Sequence, residues 1–329
     1  MRSFLTVAAL TAMATPSSAQ TLKVATLAPA GSAWMNLFDE ASRNITQKTG
    51  GRVKFKYFPG GVQGDEKDSI RKVKAGQLAG TAITSVGLGQ IYPDVRVLEL
   101  PFMFDEDAEV DYVRDRLGPE LQKRFEEKGW VLLAWGDVGW VHLFSTAPIK
   151  SKADLTKVKM WAWTDDPLVR RLFSAIGING VALGVPEVLP ALQTGMINAA
   201  YGSALSTLAL QWYTRLKYMT EMRTSYSVGG AVVSKKAFDQ LAPSDQKILR
   251  EEAKRLELKL IAQIRKDNVA ALTALKKQGL QVVPTPPELV KEFRAGAEKV
   301  WYELAGQLYS KELLEKVKAL RAEYRSARK

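Results

Sequence analysis

The 329-residue sequence contains no cysteine. Disulfides, thiolate nucleophiles and cysteine-based zinc sites are therefore excluded, as is a lipid-anchored cysteine. Histidine is nearly absent too, with His142 the only one. A nucleophile–histidine–acid triad would have to use it. It lies in an alternating apolar segment, GWVHLFS, where a structural role is the plainer reading. There is no Walker A sequence, and no G-x-G-x-x-G opens a helix after a strand. Asp165-Asp166 is a carboxylate pair just before Pro167. Such a pair either caps the helix that the proline opens or holds a cation or polar group. Nothing here supports an enzyme, and no cofactor or metal is expected. Long apolar runs are also missing: no segment approaches the ~20 residues of a membrane-spanning helix.

Residues 1–19, MRSFLTVAALTAMATPSSA, have the pattern of a secretory signal. Arg2 is the charged start, Phe4 to Met13 the apolar middle, and Ser17-Ser18-Ala19 the small-residue cleavage site. Export to the periplasm, with cleavage after Ala19, is the expectation. The chain carries 47 basic against 35 acidic residues, a net charge of +12. The leader accounts only for Arg2, which leaves 46 against 35. The basic residues are spread through amphipathic helices. With an export signal, this argues against nucleic acid and for a solvated surface near anionic headgroups or an acidic partner. The length suits two domains.

Asp154 to Ser203 reads strand, helix, strand, helix, strand. Alternation along its first strand puts Trp161 and Trp163 on one face and Met160 and Ala162 on the other. Pro167 opens a helix that Gly177 ends, and Pro186-Glu187 opens one that ends at Gly195. Two consecutive βα units imply a parallel sheet with a ligand crevice at the carboxyl ends of its strands. Earlier, LKVATLAP, a helix capped by Ser32, and RVKFKYFPGG form a βαβ opening. Asp65 and Glu66 start a further helix, where acidic residues meet the macrodipole. AGTAITSVG is a strand with a turn. Two helices follow, over 107–117 and 119–128, and then two strands, WVLLAWGD and GWVHLFS. SALSTLALQWYTRLKYMTE reads as one helix with Trp212 in the core. Residues 242–279 read as one long helix, ~50 Å if unbroken. Thr285 to Glu288 reads as a capping box.

The segments TGGRVKFKYFPGG, LELPF, DLTKVKMW and EVLPALQTGMIN carry a family resemblance. Over nearly the whole chain after the leader, the sequence resembles the DctP-like substrate-binding proteins of tripartite ATP-independent periplasmic (TRAP) transporters. The resemblance implies an α/β, two-lobed, Venus-flytrap periplasmic binding protein with a long helix bridging both lobes. The lobes would be residues 20–138 plus 227–266, and 139–226 plus 267–329. It implies a receptor that delivers a small molecule to membrane permease subunits driven by an ion gradient. A tetratricopeptide-repeat lipoprotein is a further partner known in one branch.

One departure matters for the ligand. The family's carboxylate-binding arginine falls on Trp161, its usual aspartate on Asn198, and a second arginine near Val141. An indole has one neutral donor and cannot replace a bidentate guanidinium. The branch lacking the arginine implies an apolar or partly apolar ligand. A small organic acid would need another cation in the cleft, and Arg170 and Arg171 are expected to face solvent; a secreted sensor subunit or enzyme using the same cleft is the remaining alternative. The expected ligand-binding residues are Trp161, Trp163, Asp165, Asn198, Tyr201, Gly202, Ser203, Trp140, Ser85, Phe102, Trp34 and Glu66.

Overall fold

The computed structural model describes residues 19–328. The leader expectation therefore lies, apart from Ala19, outside the described residues. Ten strands occur among the described residues. They are β1 (Gln20–Thr26), β2 (Val53–Phe58), β3 (Gly80–Thr84), β4 (Trp130–Ser145) and β5 (Met160–Trp163). The others are β6 (Gly180–Leu183), β7 (Ala199–Gly202), β8 (Tyr218–Thr220), β9 (Ser225–Ser234) and β10 (Gln281–Val283). Their main order is β2-β1-β3-β9-β4-β7-β5-β6, with β8 and β10 off this path. β1 pairs in parallel with β2 and β3, and β5 with β6 and β7. These are the products of the βα units read from the sequence.

β4 makes the molecule two-lobed. Its first part pairs with β9, from Trp130 opposite Ser234 to Val141 opposite Ser225. Its last four residues pair with β7, from His142 opposite Gly202 to Ser145 opposite Ala199. One strand thus belongs to both halves of the sheet. The register slips between Asp137 and Gly139, where Gly139 has a φ of +112° that a side chain would strain. The two strands read from WVLLAWGD and GWVHLFS are one strand with a bulge.

Alternation places the β5 side chains as expected. Met160 and Ala162 pack with Leu172, Phe173 and Phe293. Trp161 and Trp163 join Phe38 and Val86 of the first lobe and Val185 and Trp212 of the second. Asp166 caps the helix Pro167–Ile176, and Gly177 ends it at a φ of +78°. The long helix runs Pro243–Lys277, 35 residues, or ~52 Å at 1.5 Å per residue. It packs on β4, on the helix Ala33–Lys48 and on the helix Ala204–Ala209, so it braces both lobes.

Five elements differ from the sequence reading. The strand read from Asp154 starts only at Met160, because Ser151 caps a short helix, Lys152–Lys157, ahead of it. The expected helix pair over 107–128 is a single helix, Asp107–Glu127, with Pro119 inside. Its buried stripe of Val113, Leu117, Leu121 and Phe125 continues across the proline and offsets the lost hydrogen bond. SALSTLALQWYTRLKYMTE breaks after Ala209 because Gln211 takes a φ of +60°, then forms a 3-10 turn and β8. Ser85 opens a helix, Ser85–Ile91, directly after β3. The helix Pro287–Leu304 is capped by Pro286 without a side-chain bond, so Thr285 forms no capping box.

Candidate functional site

A cavity of about 200 Å³ lies between the lobes, at the carboxyl ends of β1, β3, β5 and β7. One water needs only ~10–15 Å³ on the same measure. Its walls are mostly apolar, with a set of aromatic rings among them. Trp34, Trp135, Trp161, Trp163 and Trp212 line it together with Tyr201. Trp161 and Tyr201 stack at 4.7 Å and 16°, and Trp212 stands edge-on to Trp161 at 5.3 Å. The Trp161 indole N–H donates to Leu183 O at 2.9 Å, and that of Trp34 to Asp137 O at 3.2 Å. These two rings therefore present apolar faces with their polar edges already satisfied.

Polar groups enter from both lobes. Glu66 is 2% exposed at the start of the helix Glu66–Lys74. It accepts from Thr84 N and Gly87 N, both at 2.7 Å, and from the Thr84 hydroxyl at 3.0 Å. Burial still outweighs these donors and pushes its pKa up to about 8. Arg96, also 2% exposed, comes from the 3-10 turn Pro93–Glu99. Its Nη2 lies 3.0 Å from Asp166 and 3.3 Å from Glu99. Burial raises Glu99 to about 7 against the pull of Arg96. Arg96 is the only lysine or arginine among the described lining residues, beside four carboxyls, Glu66, Glu99, Asp137 and Asp166. Asp137 is neutralised from behind by Arg114 and Arg265, both at 2.8 Å.

Contacts across the cleft join the lobes. Asp65 accepts from the Trp163 indole at 2.9 Å and from Val185 N at 3.1 Å. Arg96–Asp166 spans the same gap, as does Lys67–Asp165 at 3.0 Å nearer the rim.

Seven of the expected residues lie on the cavity wall: Trp34, Glu66, Trp161, Trp163, Tyr201, Gly202 and Ser203. Five lie elsewhere, and each is a correction of placement. Asp165 is turned to the rim by its pairing with Lys67. The Asn198 side chain accepts from Lys159 N at 2.7 Å and fixes the turn before β7. Trp140 donates to Asp107 at 2.7 Å and packs edge-on against Tyr226. Ser85 is buried, donating to Glu99. Phe102, at a φ of +56°, packs on Phe293 under the second lobe. Arg170 and Arg171 are exposed as expected, Arg171 pairing with Glu303. His142 is outside the lining. It bonds Thr220 O at 2.9 Å, and burial lowers its pKa to about 4.

Sequence reasoning missed Arg96, Glu99, Asp166 as a lining group, and Trp212. A signal existed for Arg96 and Glu99: two opposite charges inside the apolar run VRVLELPFMF imply buried partners. Nothing local points to Trp212.

Residues 24–307 match the family described as bacterial extracellular solute-binding protein, family 7, or DctP. The chain belongs to this family. It is similar to the 2,3-diketo-L-gulonate-binding periplasmic protein YiaO of Escherichia coli, 27% identical over 244 residues, 73% of each chain. It also resembles a TRAP periplasmic solute-binding protein of Pseudomonas putida solved with D-glucuronate. That match has 26% identity and a TM-score of 0.84, and covers 91% of this chain and 97% of that one. A Desulfovibrio salexigens TRAP solute-binding protein solved with orotic acid shares the fold at 21% identity, a TM-score of 0.85, and 92% and 99% coverage. The DctP-family chain is thus a TRAP-type periplasmic solute receptor and not an enzyme. The named ligands of these relatives are organic acids, and none lends support to an apolar ligand.

Proposed function

We propose that this receptor closes around a small, uncharged solute with a flat, partly apolar body and delivers it to a TRAP membrane permease. The observation that carries the reading is the charge of the wall. The one cation among the described lining residues is already held by two carboxyls, and the broad surfaces are indoles. Apolar pockets with a few polar groups select ligands of that kind. Residues 136–139 of β4 and the long helix serve as the hinge, with lobes of residues 20–138 plus 227–266 and 139–226 plus 267–329. The solute drives closure only through its greater affinity for the shut form. Trp161 and Trp163 form the wall, with Tyr201, Gly202, Ser203, Trp34 and Glu66 around them. Maturation follows cleavage after Ala19. A tetratricopeptide-repeat lipoprotein is a candidate accessory partner.

A second reading, a small organic acid, is favoured by the glucuronate and orotate of the structural relatives. It requires the acid to displace Asp166 or Glu99 from Arg96. The test is mass spectrometry of the solute released on denaturing protein purified from its own periplasm. A neutral aromatic or partly apolar species at near-stoichiometric yield supports the first reading. A hydrophilic carboxylate rejects it and selects the second.

A further inference from the structure

We infer that Glu99 reads a neutral hydrogen-bond donor on the solute, a hydroxyl or an N–H. The inference rests on the reading above and adds to it the polar group that the solute carries.

Four carboxyls line the cavity, and Glu99 is the one that opens onto it. Its side chain is 11% exposed, against 2% for Asp166 and 0% for Asp137. Glu66 is buried at the start of its helix. The chain neighbours of Glu99, Leu98 and Leu100, are buried, and so are Ser85 and Arg96, which hold its carboxyl from behind. The outer surface is therefore closed to Glu99, and the part left bare faces the cavity that it lines. Ser227, whose hydroxyl donates to the same carboxyl, stands beside it on that wall.

A carboxylate has two oxygens and about four acceptor sites. Oε2 takes the Ser85 hydroxyl and stands 3.3 Å from Arg96 Nη2. Ser227 supplies a further donor. Together they do not offset burial, and the pKa of Glu99 stays raised at about 7, whereas a carboxylate with its full set of donors falls below its ordinary value. One more donor, brought by the solute, completes the group. Arg96 decides the charge of that donor. An ammonium at Glu99 would stand beside the guanidinium that already shares the carboxyl, and like charges repel strongly away from water. A carboxylate solute would be repelled by Glu99 itself. A hydroxyl or N–H meets neither repulsion.

The experiment compares five probes with one ring and different polar groups: phenol, toluene, benzonitrile, benzylammonium and benzoate. Phenol carries a donor, benzonitrile only an acceptor, and toluene neither. Binding is read by calorimetry on the full mature chain and on Glu99→Gln, with thermal melting as the check on folding. Phenol is expected to bind wild type about tenfold more tightly than toluene or benzonitrile, the effect of one bond to a charged acceptor. In Glu99→Gln the amide oxygen takes the place of Oε2, where Ser85 and Arg96 converge, and the amide NH2 turns to the cavity. The order of phenol and benzonitrile is therefore expected to reverse. Equal binding of phenol and toluene to wild type overturns the inference and leaves the flat, uncharged reading standing. A phenol lead that survives in Glu99→Gln does the same, since another group then reads the donor. Preference for benzoate or benzylammonium overturns both the inference and the uncharged solute. Failure of all five to bind removes the flat-ring reading and the inference with it. Should Glu99→Gln fail to fold, Glu99→Asp keeps the charge but draws the carboxyl back by one methylene. Phenol's lead is then expected to shrink, and an unchanged lead overturns the inference.

Discussion

Asp65 sits where two helices and two lobes meet, and its removal has a calculable effect. Its carboxylate caps the helix Glu66–Lys74 of the first lobe. It also accepts from Val185 N, the first residue of the helix Val185–Thr194, and from the Trp163 indole. The cap is local and survives when the lobes part. The other two bonds exist only while they are shut. Each hydrogen bond to a charged group contributes about 1.5–3 kcal/mol. Closure also strips water from the carboxylate, and burial raises its pKa, which offsets part of the gain. If desolvation cancels one bond, about 1.5–3 kcal/mol remains in favour of the shut form, a factor of about 10 to 100. Asp65→Ala should therefore raise the Kd for the co-purified solute by about 10- to 100-fold. Loss of the cap should lower unfolding stability by about 1 kcal/mol. Asp65→Asn keeps an acceptor oxygen and should recover part of the affinity. Calorimetry gives the Kd, and small-angle scattering with solute present gives the fraction shut. A Kd within about twofold of wild type, with an unchanged radius of gyration, would refute the argument that these two bonds hold the cleft.

Trp161→Ala should weaken solute binding by more than about tenfold and cost about 3–5 kcal/mol of stability, since the ring is 2% exposed and stacked on Tyr201. A small loss of affinity in calorimetry would remove Trp161 from the wall's function. Glu66 has its pKa raised from 4.5 to about 8, so the unfolded chain gives up this proton first and stability falls as pH rises between those values. His142, lowered from 6.5 to about 4, does the reverse, and stability is lost as pH falls between them. Glu66→Gln should remove up to about 5 kcal/mol of the alkaline slope and His142→Gln up to about 3 kcal/mol of the acid slope. Urea titrations across pH 4 to 8 check both, and parallel curves for variant and wild type would contradict them. Arg265→Met should destabilise the chain by about 2 kcal/mol, below the ~3–5 kcal/mol of a fully stranded buried charge, because Arg114 still pairs with Asp137. An unchanged urea midpoint would mean that the hinge does not depend on this pair.

Much of the architecture could be read from local pattern. MWAW alternates, and the structure sends its two tryptophans and its Met160 and Ala162 to opposite faces. Pro167, Gly177 and Gly195 mark helix limits because ring closure and positive φ act on the backbone where they stand. The 35-residue helix is legible from the want of glycine and proline inside it. The polar content of the cleft was less open to reading. Asp165 and Asp166 are adjacent and chemically alike, yet one pairs with Lys67 at the rim and the other caps a helix and grips Arg96 inside. The pairing that brings Arg96 to the wall joins residues 70 apart, and the Asp65–Trp163 bond joins residues 98 apart. The sequence by itself determined the family, through its motifs, and most of the strands and helices and the shared face of Trp161 and Trp163, through periods of two to four residues. Only the tertiary structure decided which charges meet in the cleft, because that depends on how the lobes close on each other, and no local period records it.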